Sequence, residues 1–119
     1  MNNISVILLS VTFAAVGQLS WKVGMDFIGP VSGLRSSDII SIFLNPYILF
    51  GLIMYGLSTV FWLIALARME LSFLYPFISL TYILVLVLSY LVLEESIGLN
   101  KMVGTMLIIS GLLLISRFN

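Results

Sequence analysis

Apolar residues in this chain come in four long stretches, with no two-residue alternation and no narrow helical stripe. They cover about residues 4–22, 46–67, 71–93 and 97–116. Each is close to the ~20 residues a helix needs to cross bilayer hydrocarbon. Charged residues stand between the stretches or at their ends: Lys22, Asp26, Arg35, Asp38, Arg68, Glu70, Glu94, Glu95, Lys101 and Arg117. In lipid a segment must satisfy its own backbone hydrogen bonds, so a stretch of this kind spans as a helix. The pattern predicts an all-α integral membrane protein, with residues 1–119 forming one domain of four transmembrane helices.

The connections are unequal. Arg68-Met69-Glu70 is a tight turn, so the second and third helices must be antiparallel neighbours. Residues 94–100 make another short turn, and 24–45 form a long loop. Gly29-Pro30, Ser32-Gly33 and Ser36-Ser37 are breakers within that loop. Asp38 is placed to cap a short helix over residues 39–44 at the membrane surface, and Pro46 then follows Asn45 where a first-turn proline is tolerated. A cleaved leader is the competing reading of the first stretch. No Lys or Arg precedes that stretch and it exceeds a usual signal core, so it is read as a span. Arg68 and Arg117 fall on the side of the N-terminus, with Lys22, Arg35 and Lys101 on the other. That bias is too small to fix orientation, and it leaves room for insertion both ways or for a partner of opposite orientation.

Polar groups inside a span face protein or a water-filled cavity. The third helix carries Ser72, Tyr75, Ser79, Tyr82, Leu86 and Ser89 at steps of three or four residues, hence on one face. Tyr55, Ser58, Thr59 and Trp62 recur similarly on the second helix, and Ser10, Ala14, Gly17, Gln18, Trp21 and Lys22 on the first. Converging, these faces line a partly polar cavity with aromatic walls. The plainer roles are an interfacial belt for Trp21, hydroxyls bonded to their own helix, and a Lys22 that snorkels to the headgroups. Gln18 resists such a reading, because it lies a turn inside Lys22 with four hydrogen-bonding sites to satisfy. Glu94 and Glu95 read as solvated charge at the end of the third helix. Gly104 and Gly111, with Ile108 between them, share one face of the fourth helix and permit close approach of another helix.

Composition narrows the function. The chain is 61% hydrophobic and 8% charged, with a mean hydropathy of +1.24, against ~25% charged residues in soluble domains. Five basic and five acidic residues cancel, so no basic face is available for nucleic acid. With no Cys and no His, thiol nucleophiles, imidazole acid–base chemistry and the usual zinc sites are excluded. No cofactor or metal site is expected. No acid falls within the four stretches, whereas proton-coupled exporters place a carboxylate at mid-membrane. Enzymatic chemistry by this chain alone is not expected.

Three motifs carry a family likeness: Gly17-Gln18-Leu19-Ser20-Trp21-Lys22, the run from Trp62 to Tyr75-Pro76, and Glu95 followed by Gly104-Thr105-Met106-Leu107-Ile108-Ile109-Ser110-Gly111. With them the chain resembles the small four-helix branch of the drug/metabolite transporter superfamily, the EamA-like and small multidrug resistance-like half-transporters. The resemblance implies a dimer, with the Gly104–Gly111 face as its contact. Small multidrug resistance exporters carry a membrane glutamate where this chain has Ala14, and Ile78 stands near the place of their third-helix tryptophan. The likeness is closer to the subunits that flip aminoarabinose-phosphoundecaprenol, through Gly17-Gln18-Leu19, Lys22, the Trp62 to Tyr75-Pro76 spacing, Ser79-Leu80 and the Glu95 to Gly104 interval.

The expected function is therefore a flippase subunit in a bacterial or archaeal cytoplasmic membrane, moving a polyprenyl-phosphate-linked sugar or similar anionic lipid. Lys22 would hold the phosphate. Gln18, Tyr55, Tyr75, Ser79, Tyr82 and Glu95 complete the expected substrate site. The partner is a second copy or a paralogue, in antiparallel orientation. The alternatives are an exporter of small cationic metabolites using Glu94 or Glu95, and a structural subunit that scaffolds a glycosyltransferase.

Overall fold

The computed structural model describes residues 2–30 and 35–118, with Phe118 described by its backbone alone. The Ser32-Gly33 pair lies outside them. Helix α1, Asn3–Ile28, starts where the Asn2 side chain accepts the Ile4 N–H at 2.8 Å. It ends at Gly29, whose φ of 87° suits a residue without Cβ. The helix therefore continues past the expected limit at 22 and takes Gly24 and Asp26 with it. Burial of Gly24 against Asn45 and Ile48 outweighs the ~1 kcal/mol that an internal glycine costs a helix.

The middle of the expected loop is also partly helical. Helix α2, Ser36–Leu44, begins with the two serines read as breakers. Asp38 is not its cap; it is the third helical residue, with its carboxylate near the positive end of the helix dipole. Ile39, Ile40, Phe43 and Leu44 are exposed, as suits a helix lying among headgroups. Asn45 ends α2 and opens α3, Pro46–Arg68, by accepting the N–H groups of Tyr47 at 2.9 Å and Ile48 at 3.4 Å. Helix α4, Leu71–Leu74, a 3₁₀ turn, Tyr75–Phe77, and helix α5, Ile78–Val92, run on as the third span, Leu71–Val92. Helix α6, Leu99–Phe118, supplies the fourth.

Two of these helices make the tightest contact in the bundle. As residue numbers rise along α1 they fall along α3: Ser10 meets Ser58, Gly17 meets Gly51 and Tyr55, Ser20 meets Tyr47, and Trp21 meets Ile48. The pair is antiparallel, and at its centre two glycines bring the backbones together. A Cβ on Gly17 would lie 2.9 Å from the Gly51 carbonyl oxygen, and a Cβ on Gly51 would lie 2.8 Å from that of Gly17. Polar bonds then fasten the seam. The Ser10 hydroxyl donates to the Ser58 carbonyl at 2.9 Å, Ser20 to Tyr47 at 2.5 Å, and the Trp21 indole N–H to Ile48 at 3.2 Å. Between membrane helices such bonds average ~0.6 kcal/mol each, so close packing carries more than any one of them.

Helix α5 lies along α1 and runs the same way, while α6 packs mainly on α5 and the 3₁₀ turn. A hydrophobic core of Val6, Ile7, Val11, Ala65 and Leu74, flanked by Phe61, Trp62 and Phe77, fills one end. Elsewhere the surface is apolar: Phe50, Ile53, Leu63, Met106, Leu107 and Leu113 all stand exposed, the inverse of a soluble domain and the match of hydrocarbon.

Gly17→Val is expected to cost about 1–3 kcal/mol, because the atom it strikes is backbone and cannot rotate away. The check is unfolding of the detergent-solubilised protein, and an unchanged midpoint would mean the two backbones are not in contact.

Candidate functional site

Away from the core the three helices α1, α3 and α5 do not meet fully. A cavity of about 190 Å³ remains, lined by Ser10, Ala14 and Gln18 of α1, Tyr55, Ser58, Thr59 and Trp62 of α3, and Ile78 and Thr81 of α5. Towards the end of the bundle that carries α2, a second cavity of about 250 Å³ is lined by Gln18, Leu19, Lys22, Val85, Ser89, Leu93 and Glu95. Gln18 belongs to both, so a partly polar path follows one face of α1 from Lys22 past Gln18 and Ala14 to Ser10. These positions are four residues apart, the spacing that stacks side chains one above another.

The structure brings together part of the expected site. Gln18, Tyr55, Lys22 and Glu95 line the path. Tyr75, Ser79 and Tyr82 do not: Tyr75 is 61% exposed, Tyr82 is exposed, and the Ser79 hydroxyl donates to the Pro76 carbonyl at 2.6 Å. The α5 face towards the path is Ile78, Thr81 and Val85, together with Ser89 of the expected stripe. The offset is present before the 3₁₀ turn begins: Leu74 is fully buried in the core, whereas Tyr75, the next residue and the first of the turn, faces out.

Other expectations fare differently. Trp21 is not a belt residue: it is half-buried, bonded to Ile48, and stacked on Tyr55 with centroids 5.1 Å apart. That contact holds Tyr55 in the wall of the inner cavity. Thr59 follows the plainer reading, with its hydroxyl bonded to Tyr55 of its own helix at 3.0 Å. Ala14, where a membrane acid was looked for, lines the cavity with a methyl group. Gly104, Ile108 and Gly111 lie apart from the path on α6, and no heavy atom comes within 4 Å of where a Cβ at either glycine would stand.

Charge collects at the mouth. Lys22 Nζ lies 3.1 Å from an Asp26 carboxylate oxygen, with both side chains about half exposed (53% and 54%). Such a pair is worth at most ~1 kcal/mol, so Lys22 can exchange its partner readily. The acid on the far wall is fixed by the backbone. Glu94 ends α5 with φ at 58°, a conformation that costs a non-glycine residue ~1–2 kcal/mol. The Glu95 N–H then bonds back to the Ser89 carbonyl at 3.2 Å, which closes the helix and sets Glu95 over the cavity. A third, apolar groove of about 530 Å³ lies between α1 and α3, lined by Val16, Leu19, Val23, Pro46, Tyr47 and Phe50. Its hydroxyl, Ser20, is engaged by Tyr47, and Leu19 is common to this groove and the mouth.

Known proteins resemble this chain in sequence. The profile of the EamA-like transporter family matches residues 1–117. A protein of Shewanella sediminis, named a probable 4-amino-4-deoxy-L-arabinose-phosphoundecaprenol flippase subunit, ArnF, is 38% identical over 91% of this chain and 83% of its own length. A Sodalis glossinidius protein of the same name is 32% identical over 91% of this chain and 85% of its own. An Erwinia tasmaniensis protein named probable subunit ArnF is 46% identical over 55% of this chain, and a Pseudomonas fluorescens protein named probable flippase subunit ArnE is 37% identical over 52%. The chain spans about half the length of these last two relatives (53% and 54%). No solved structure matches.

The path predicts where water reaches. The chain has no native cysteine, so single cysteines at Gln18 and Ser89 should react with a membrane-impermeant maleimide added from the side that carries Lys22. A cysteine at Leu107, exposed on the apolar surface of α6, should stay unlabelled. Cysteines at Gln18 and Ser89 that stay as unlabelled as the one at Leu107 would mean that no aqueous path exists.

Proposed function

Because this chain belongs to the EamA-like transporter family, we propose that it is a carrier and not an enzyme: one subunit of a flippase that moves a polyprenyl-phosphate-linked sugar across the inner membrane. With four apolar spans it is a multi-pass inner-membrane protein. One observation carries the reading. Lys22 stands at the mouth of a path that Gln18 continues into the membrane, and no acid occupies the mid-membrane position at Ala14.

The physical problem in flipping such a lipid is its head, since each unsatisfied polar group in hydrocarbon costs several kcal/mol. The tail never leaves the bilayer. Lys22 is weakly held by Asp26 and turns to the phosphate, forming a charge-assisted bond. Gln18, Tyr55 and the serine hydroxyls offer the sugar hydrogen bonds further in. The apolar groove, contiguous with the mouth at Leu19, suits the first isoprene units. Relatives named for an undecaprenyl-phosphate-linked amino sugar support this substrate class.

One chain leaves the path incomplete. Neither cavity reaches the ~300 Å³ of a usual ligand site, and the sides are open. The Gly104, Ile108 and Gly111 face of α6, with Gly111 exposed and the other two half-buried, suits a second copy or a paralogue. Set antiparallel, two such chains form the inverted repeat on which many transporters alternate access. The core closes one end of each chain and the charged mouth opens the other, so such a pair presents one opening to each side.

Two outcomes test this reading. Lys22→Ala should weaken retention of undecaprenyl phosphate in native mass spectra by about ten- to a hundredfold, with Lys22→Arg keeping most of it; if Lys22→Ala and Gln18→Ala both left retention and transport unchanged, the assignment would be wrong. Gly104→Leu with Gly111→Leu should abolish the dimer in cross-linking while each chain stays folded, and a persisting dimer would place the contact elsewhere.

A further inference from the structure

The mouth of the path holds more acid than base. Lys22 lines it from α1, Glu95 lines it from the segment after α5, and Asp26 is the carboxylate already paired with Lys22. One ammonium therefore faces two carboxylates. Four further charges stand at this end of the bundle outside the lining: Lys101, with Nζ 3.5 Å from the Ser96 carbonyl, Glu94 at the strained turn, and the oppositely charged Arg35 and Asp38 at the start of α2. A head group offering only a phosphate displaces Asp26 from Lys22 and leaves three negative groups around one positive. That arrangement is repulsive wherever the dielectric falls below that of water. A head group that brings its own ammonium removes the mismatch.

Glu95 is the acid placed to meet that ammonium. Its backbone is anchored through the 3.2 Å bond to Ser89, and among the described residues its carboxylate has no ion-pair partner. It shares the cavity with Gln18, Lys22 and Ser89. We propose that the site reads a zwitterion: Lys22 takes the phosphate, and Glu95 selects for a free amine on the translocated sugar. The inference rests on the flippase reading and adds to it a residue that distinguishes amino sugars from neutral ones. A carboxylate on a solvated turn with no ligand makes no such distinction, so the two roles separate in one experiment.

The experiment uses the full chain in lipid nanodiscs and two probes, undecaprenyl phosphate bearing a free-amine sugar and the same lipid with that amine N-formylated. Formylation removes the charge and changes little else. The wild type should retain the free-amine lipid about tenfold more tightly, the value of one charge-assisted contact. Glu95→Gln should bring that ratio close to one by weakening the free-amine lipid, and Glu95→Asp should restore part of it. Lys22→Ala should weaken both lipids and leave the ratio standing. A ratio that survives Glu95→Gln, or a wild type that holds both lipids equally, overturns the role of Glu95 while the flippase reading stands. A wild type that holds neither lipid overturns both.

Discussion

The approach of Gly17 to Gly51 is the contact on which the arrangement of this bundle depends. In lipid there is no hydrophobic gain from burying one apolar helix against another, so association must come from close packing and polar bonds. A pair of glycines lets α1 and α3 meet backbone to backbone. That distance brings the Ser10, Ser20 and Trp21 side chains within reach of α3 carbonyls. It also sets the rotation of α1, which turns Ala14, Gln18 and Lys22 towards α5. Neither the seam nor the polar path exists at a wider helix separation.

A second constraint divides the bundle along its length. Val6, Ile7, Ala65 and Leu74 fill the end near the N-terminus of α1, and the packing there leaves no path. At the other end α1, α3 and α5 are held apart by polar and aromatic groups, with Gln18 between the two cavities. The same end carries Lys22, Asp26 and Glu95 and the interfacial helix α2. From that end inward the path runs from charge at Lys22 and Glu95 to the amide of Gln18 and then to the hydroxyls of Tyr55, Ser58 and Ser10.

Helix α6 leaves the positions of Gly104 and Gly111 open to another helix or to lipid. Its glycine face is open and it touches little of its own bundle. In a soluble protein such a helix would detach. In a bilayer lipid satisfies it as well as protein does, so a short chain can keep one helix in reserve for assembly.

Much of this was legible in residue order. Span limits depend on local hydropathy, and the tight turn at Arg68-Met69-Glu70 and the Asn45-Pro46 start of α3 are settled by capping and by proline geometry. The EamA-like motifs were visible in the same way, and Lys22, Gln18, Tyr55 and Glu95, singled out from residue order, all line the path. What sequence could not supply was phase. These helices are apolar almost all round, and lipid removes the contrast between inside and outside that a polar face reveals in water. So the choice of Ile78, Thr81 and Val85 over Ser79, Tyr82 and Leu86 came from how the third span packs against α1 and α3. The extension of α1 through Gly24 and the turning of Trp21 into the seam came from contacts with residues on another helix. Local hydropathy determined which segments cross the membrane; only packing between segments distant in sequence decided which way each one faces, because in hydrocarbon nothing short of contact with another helix distinguishes one apolar face from the next.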